Sequence, residues 1–156
     1  MARCLEGEDA MMLITPHFKL SEFDCKDGTP YPAEWIEERL KPLANMLEKI
    51  REHVGHPITI VCGYRSPVYN EELRKRGLEG ESGKTGVAED SQHPKGNAAD
   101  IKSYGMRTDD LHNMILSMWL DGLLPELGGL ALYIWHGFVH VDTFVKAPGK
   151  LRRWNR

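Results

Sequence analysis

Apolar positions along the chain follow two different periods, and the period changes at glycines and prolines. From Pro32 onward Trp35, Ile36, Leu40, Leu43, Leu47, Ile50 and Val54 recur mostly at spacings of three and four, which predicts a helix with one buried face. Pro42 interrupts that run, so either the helix kinks or there are two helices with Pro42 in the first turn of the second. Gly55 is placed to cap its end. Pro57–Cys62 reads as a buried strand, and Pro67 opens a helix that Gly77 closes. Residues 78–90 are rich in Gly, Glu and Ser without apolar period, a mobile surface loop by this reading. Ala98–Ile101 predicts a strand. Thr108 is placed as an N-cap, with Asp109 and Asp110 in the first turn and Leu111, Met114, Ile115, Met118 and Trp119 as the apolar stripe, and Gly122 ends that helix. Leu130–Ile134 and Phe138–Phe144 predict a β-hairpin around Trp135, His136 and Gly137.

The ends carry less pattern. Residues 1–13 are acidic and aperiodic, a loose leader, and residues 14–156 form a single domain. Phe18–Phe23 is a short amphipathic piece, followed by a turn-rich stretch to Pro32. The basic run Lys150–Arg156 reads as a solvated tail in preference to a patch for an anionic polymer. Elements of both kinds, with strands in a hairpin, predict an α+β domain: an antiparallel sheet with helices packed mainly on one face.

Composition narrows the partners. A formal net charge of -3 gives no bulk basic signature for nucleic acid. No apolar run approaches the ~18 residues of a membrane span, so no membrane insertion is expected. Cys4, Cys25 and Cys62 are odd in number and lack a CxxC pair, which argues against a disulfide framework and fits a reducing compartment or incidental thiols. The first ten residues lack the apolar core of a signal peptide, so the chain as written is expected to be cytoplasmic as synthesised. A monomer is the simplest expectation.

Candidate chemistry concentrates in two segments. Ser91–Asp100 places His93 and Asp100 seven residues apart across Gly96, which lets backbone approach closely. Phe138–Asp142 holds His140 in the middle of an apolar strand, where period 2 puts Phe138, His140 and Asp142 on one face and Val139 and Val141 on the other. Any one of these histidines read singly is a structural or surface residue. Together, two imidazoles and a carboxylate suffice to hold a catalytic zinc with its fourth position open for water or substrate.

The pattern Ser91-x-His93-x-x-Gly96-x-Ala98-Ala99-Asp100 followed by Phe138-Val139-His140-Val141-Asp142 resembles the M15 metallopeptidases, the group of D-alanyl-D-alanine carboxypeptidases and peptidoglycan endopeptidases. Gly63-Tyr64-Arg65-Ser66-Pro67 with Asn70, the entry piece Phe18–Phe23 and the closing Trp154 are similar to the same family, so the resemblance spans residues 16–156. It implies that His93, Asp100 and His140 are zinc (Zn2+) ligands and that Arg65 lies beside the metal, binding a substrate carboxylate or carbonyl and stabilising the oxyanion. It further implies a mononuclear zinc peptidase acting on peptidoglycan peptides. With no signal peptide at the start, delivery to the cell wall by release or by a phage-type partner is expected, as for an endolysin or tail-associated lysin. Ser91 and Gln92 are expected to fix the loop or support the ligands.

The general base does not transfer cleanly. Several relatives carry an acid three positions before the last ligand histidine, where this chain has Gly137. Asp142, on the strand face of His140, ranks first as catalytic base and His136 in the hairpin turn second. The segment after Thr143 also departs from the family pattern, which bears on substrate detail. Two further readings stay open: a zinc-stabilised binding module that has lost catalysis, as hedgehog-type domains suggest by analogy, and a D-Ala-D-Ala dipeptidase.

Overall fold

A computed structural model describes residues 11–79 and 90–156. Residues 80–89 of the predicted loop and most of the predicted leader therefore fall outside the described residues, while Leu78 and Glu79 belong to α2 and Leu13 to a strand. The strands are β1 (Leu13–Thr15), β2 (Phe18–Lys19), β3 (Ile58–Cys62), β4 (Ala98–Ser103), β5 (Gly129–Tyr133), β6 (Phe138–Asp142) and β7 (Arg152–Asn155). The α-helices are α1 (Lys41–Val54), α2 (Pro67–Glu79) and α3 (Thr108–Leu120).

Pro42 acts as the two-helix alternative requires. A 3-10 turn over Ala33–Trp35 and a π-helical turn over Ile36–Leu40 precede α1, and the proline occupies its first turn, where a missing N–H costs nothing. Leu43, Met46, Leu47 and Ile50 on α1 are fully buried, and Gly55 closes the helix in the left-handed conformation. Two helix ends differ from the sequence reading. Thr108 is the first helical residue, not the cap; Arg107 precedes it in extended conformation and its guanidinium grips Asp109 at 2.8 and 3.0 Å. Gly77 does not stop α2, which runs on to Glu79.

Five strands form one sheet in the order β3-β4-β6-β5-β7. The pairs β3/β4, β4/β6 and β5/β6 are antiparallel, as predicted, but β7 lies parallel to β5. The C-terminal basic run is thus an edge strand and not a solvated tail. Its alternation explains why: Leu151 packs against the core, while Arg152, Trp154 and Arg156 line the cavity described below.

One sheet face carries Ile58, Ile60, Ala99, Ile101, Leu130, Val139 and Val141 and is covered by α1 and α3, which supply Leu43, Leu47, Ile50, Leu111 and Ile115. Burying that face of one continuous sheet is the main stabilising term. It also fixes register, because a slip of one residue would turn every chemical group on the opposite face into the core.

Candidate metal centre

A single row across the uncovered face assembles the chemistry. Asp100 pairs with His140, His140 with Ala131 and Ala131 with Trp154, while Cys62 stands opposite Asp100 on the far side. Cys62 reaches this row only through a β-bulge. Ile60 faces Ile101 and Cys62 faces Asp100, so two steps on β3 match one on β4 and the thiol is turned out of the core. Strict alternation would leave Cys62 among the core residues, and as one of three cysteines without a CxxC pair it reads in the sequence as an incidental thiol.

His93 arrives from outside the sheet, on a 3-10 turn (His93–Lys95) closed by Gly96 with φ +74°. A side chain at Gly96 would meet the Tyr31 hydroxyl at 2.7 Å and the Trp35 ring at 2.8 Å, so the turn packs against both rings only because the residue is glycine. The Tyr31 hydroxyl donates to the Gly96 carbonyl, and Arg65 N–H donates to the His93 carbonyl at 3.3 Å.

Three atoms converge. His93 Nε2 lies 3.2 Å from Asp100 Oδ1, His140 Nδ1 lies 3.0 Å from the same oxygen, and the two ring nitrogens are 3.2 Å apart. The outer nitrogens are both committed elsewhere: His93 Nδ1 is 2.6 Å from the Gly63 carbonyl and His140 Nε2 is 3.0 Å from Asp142 Oδ2. A carbonyl and a carboxylate are acceptors, so each outer nitrogen carries the proton and each inner nitrogen of a neutral ring presents a lone pair. Three acceptors facing one another across about 3 Å repel unless a proton or cation sits between them. A tetrahedral ion with bonds of about 2.0–2.1 Å holds its ligands roughly 3.3 Å apart, close to the observed triangle. The donor set therefore fits a divalent metal.

Cys62 forms a second close group with His93 and Asp100. Its Sγ is 3.9 Å from His93 Nδ1, the nitrogen already bonded to Gly63, so the thiol lies behind the imidazole and not inside the triangle. We therefore take the two histidines and Asp100 as the metal-holding set, with Cys62 as a neighbour.

Charges in the triangle are tightly linked. Burial alone would pull the His93 imidazole down, but the Asp100 carboxylate outweighs it and pushes the group up to about 9. Burial alone would raise Asp100, and the two imidazoles instead hold it far below the usual carboxylate range. Arg65 is held at all three nitrogens: Nε donates to Cys62 Sγ at 3.2 Å, Nη1 to Asn70 Oδ1 at 3.4 Å and Nη2 to Asp100 Oδ2 at 3.3 Å. Its guanidinium is thus oriented before any ligand arrives.

The site opens into a cavity of about 220 Å³ lined by Arg65, Asp90, Ser91, Gln92, the triangle, Tyr133, Phe138, Asp142, Arg152, Trp154 and Arg156. Tyr133 and Phe138 stack at 4.7 Å to form one wall, and Trp154 leans on His140 at 5.2 Å. Gln92 is buried beside His93, and its amide N–H donates to the Asp90 carbonyl at 3.3 Å.

The two residues put forward as base fall in different places. Asp142 is 0 % exposed, and both its oxygens are engaged, Oδ2 by His140 and Oδ1 by Arg152 at 2.6 Å and by the Phe144 N–H at 3.0 Å. It stands behind His140, on the side of the ring away from the triangle. His136 is exposed in the hairpin turn, its ring 6.1 Å from Tyr133 and 5.9 Å from Phe138, and it does not line the cavity. Gly137 faces Lys102 and Thr108, toward a separate small cavity. Among the described residues Asp90 is the carboxylate at the main cavity that is exposed and has no side-chain partner.

A mixed but mainly antiparallel sheet carries on its open face a His, Asp, His cluster that could hold a metal, beside a fixed arginine, an arrangement of the metallopeptidase type in an α+β domain. A family model described as peptidoglycan L,D-endopeptidase MepK matches residues 32–154, and the chain belongs to this M15 peptidase family. The peptidoglycan L,D-endopeptidase MepK of Escherichia coli strain K12 is 35% identical over 126 residues, which cover 80% of this chain and 59% of the relative. A protein of Haemophilus influenzae named probable peptidoglycan L,D-endopeptidase MepK is 31% identical over 97 residues, covering 62% of this chain and 42% of its own. The chain spans about 59% of the length of the curated relatives it matches best in extent.

Proposed function

We propose that this domain is a zinc-dependent peptidase that hydrolyses peptide bonds in peptidoglycan cross-link peptides. The observation that carries the reading is the convergence of His93 Nε2, His140 Nδ1 and Asp100 Oδ1 at 3.0–3.2 Å beneath an arginine held at every nitrogen, at the floor of an open cavity. Two histidines and a carboxylate suit zinc, which when bound supplies a Lewis acid and activates water. Endopeptidase action on L,D bonds is taken from the relatives, which are named as peptidoglycan L,D-endopeptidases.

The chain's own groups divide the work. His93, Asp100 and His140 hold the ion. Arg65 cannot lose its charge, so its forked donors remain available for a substrate carboxylate or for the oxyanion that develops on the attacked carbonyl. Tyr133, Phe138 and Trp154 offer flat apolar walls to the peptide and exclude water from one side. Asp142, with both oxygens engaged by His140, Arg152 and the Phe144 N–H, fixes the His140 ring and leaves the proton-accepting role to a group with an unengaged oxygen at the cavity. Delivery to the wall by release or by a phage-type partner belongs to the same proposal.

Gly137, where several relatives carry an acid, is the sequence feature that favours a non-catalytic binding module. A side chain at this position would point toward Lys102 and Thr108, away from the metal-holding triangle, so the glycine takes no acid from the site. Turnover separates the two readings. Mass spectrometry of muropeptides released from purified peptidoglycan should show cut cross-links with zinc present, none after chelation and recovery on adding zinc back. Stoichiometric zinc with no released product would establish the binding module instead, and free D-Ala-D-Ala as the preferred substrate would establish the dipeptidase.

A further inference from the structure

We propose that Arg152 is a positioning residue of the metal centre, acting through Asp142 to hold His140 in the ring orientation and tautomer that present Nδ1 to the ion. The inference rests on the metal reading given above, and it assigns a purpose to the C-terminal strand.

The register explains how Arg152 reaches the site. Gly129 on β5 stands opposite Asp142 on β6 and also opposite Arg152 on β7. The three residues therefore form one row, and the middle member has no side chain. A Cβ at Gly129 would lie 2.1 Å from Asp142 Oδ2 and 3.0 Å from Arg152 Nη2. The bare backbone lets the guanidinium cross a whole strand and meet the carboxylate, and any other residue would fill that space. The adjacent row has Ala131 in the middle, with Trp154 and His140 in contact across it at 5.2 Å.

The carboxylate needs this partner. Asp142 is 0 % exposed, and a buried charge without a countercharge is strongly disfavoured. Arg152 Nη2 supplies the countercharge at 2.6 Å and is anchored by the Phe144 carbonyl at 3.1 Å. The Arg152 Nε is buried without a partner, so the guanidinium is placed to serve Asp142 and not to satisfy all its own donors. With Oδ1 occupied by Arg152 and the Phe144 N–H, only Oδ2 faces His140 Nε2. The imidazole is then the Nε2–H tautomer, and the lone pair on Nδ1 is directed at Asp100 and His93. Without Arg152, Asp142 would turn away toward water, and His140 would lose the acceptor that fixes it.

A substrate-binding arginine in the same cavity would alter KM and leave metal affinity unchanged, which makes the metal itself the useful probe. Zinc affinity should be measured by chelator competition for the intact chain, Arg152→Ala, Arg152→Lys, Asp142→Asn and the double variant Arg152→Ala/Asp142→Asn, with exposed Arg153→Ala as control. Arg152→Ala should weaken zinc binding by roughly 10- to 100-fold, as loss of a group supporting a ligand does, and Arg152→Lys should recover part of it by restoring the charge. Because Arg152 acts through Asp142, the double variant should bind about as weakly as Asp142→Asn alone. In the metal-free protein, nitrogen-15 NMR should find His140 as the Nε2–H tautomer in the parent and a mixture in Arg152→Ala. Parent-like zinc affinity and an unchanged tautomer in Arg152→Ala would overturn the inference, as would fully additive losses in the double variant. Should Arg152→Ala fail to fold, Arg152→Lys carries the same two measurements, and parent-like values for a shifted ammonium in the double comparison with Asp142→Asn would overturn it equally. If the parent chain binds no zinc, the metal reading fails, while the His140 tautomer still decides the place of Arg152.

Discussion

Asp142 Oδ2 lies 3.0 Å from His140 Nε2, on the side of the imidazole away from Asp100 and His93. Two residues that the strand period sets on one face thus meet each other directly, the carboxylate against the outer nitrogen of the imidazole, and the supporting role proposed for Asp142 has its own test. Asp142→Asn keeps the shape but would turn an amide N–H toward Arg152 or toward His140. Zinc affinity should fall roughly 10- to 100-fold, and saturating zinc should restore much of the rate. Retained stoichiometric zinc with turnover lost by ~10² would return Asp142 to the role of base.

His93→Ala and His140→Ala each remove one of three converging atoms. Metal retention and hydrolysis should disappear together in both, and Asp100→Ala should behave in the same way. Atomic absorption on dialysed protein checks this, and stoichiometric zinc in any of the three would mean that another residue completes the set, with Cys62 the first to examine.

Arg65→Lys should keep the metal and lose turnover, since an ammonium cannot meet Cys62, Asn70 and Asp100 at once while still presenting a fork to substrate. A loss of about 10² in kcat/KM with unchanged zinc content is expected. Unchanged turnover would reduce Arg65 to a structural ion pair with Asp100.

The proton acceptor has to reach the cavity. Asp90 is exposed there with its carboxylate unbonded among the described residues, whereas Asp142 is enclosed. Asp90→Asn should retain zinc and lower turnover by about 10²-fold or more. His136→Gln, altered in the exposed turn, is the comparison: a larger loss there than in Asp90→Asn would move the assignment to the imidazole.

The linkage of His93 with Asp100 predicts two pH trends of opposite sign. With no metal bound, His93 is pushed up to about 9 from an ordinary value of 6.5. The stability this contact contributes is fully present below pH 6.5 and is lost as pH rises through about 9. Metal must displace that proton, so zinc affinity should rise with pH over the same window, by roughly tenfold per unit while one proton is exchanged. Thermal melts and chelator competition from pH 6.5 to 9 check the pair, and parallel slopes would contradict it.

Much of this protein was readable before any coordinates. The alternation in Phe138–Asp142 places His140 and Asp142 on the open face and Val139 and Val141 in the core, and the structure keeps that division. The spacing of apolar residues around Pro42 allowed the broken helix that is present. These features are local: side-chain direction along a strand or helix follows from backbone period, and burial of one face enforces it. Three things depended on tertiary structure. Cys62 joins the site through a bulge, which depends on pairing with β4 and not on the order of residues in β3. Asp142 Oδ2 meets the outer nitrogen of His140 while Arg152 takes Oδ1, a placement that the spacing of two residues alone leaves open. Arg152 itself lies in a basic run that looks like a solvated tail, and only parallel pairing of β7 with β5 across Gly129 brings it to the carboxylate. Sequence period determines which face a residue occupies. Which neighbour it meets there is set by strand order and register, and these are decided when the whole sheet buries its apolar side.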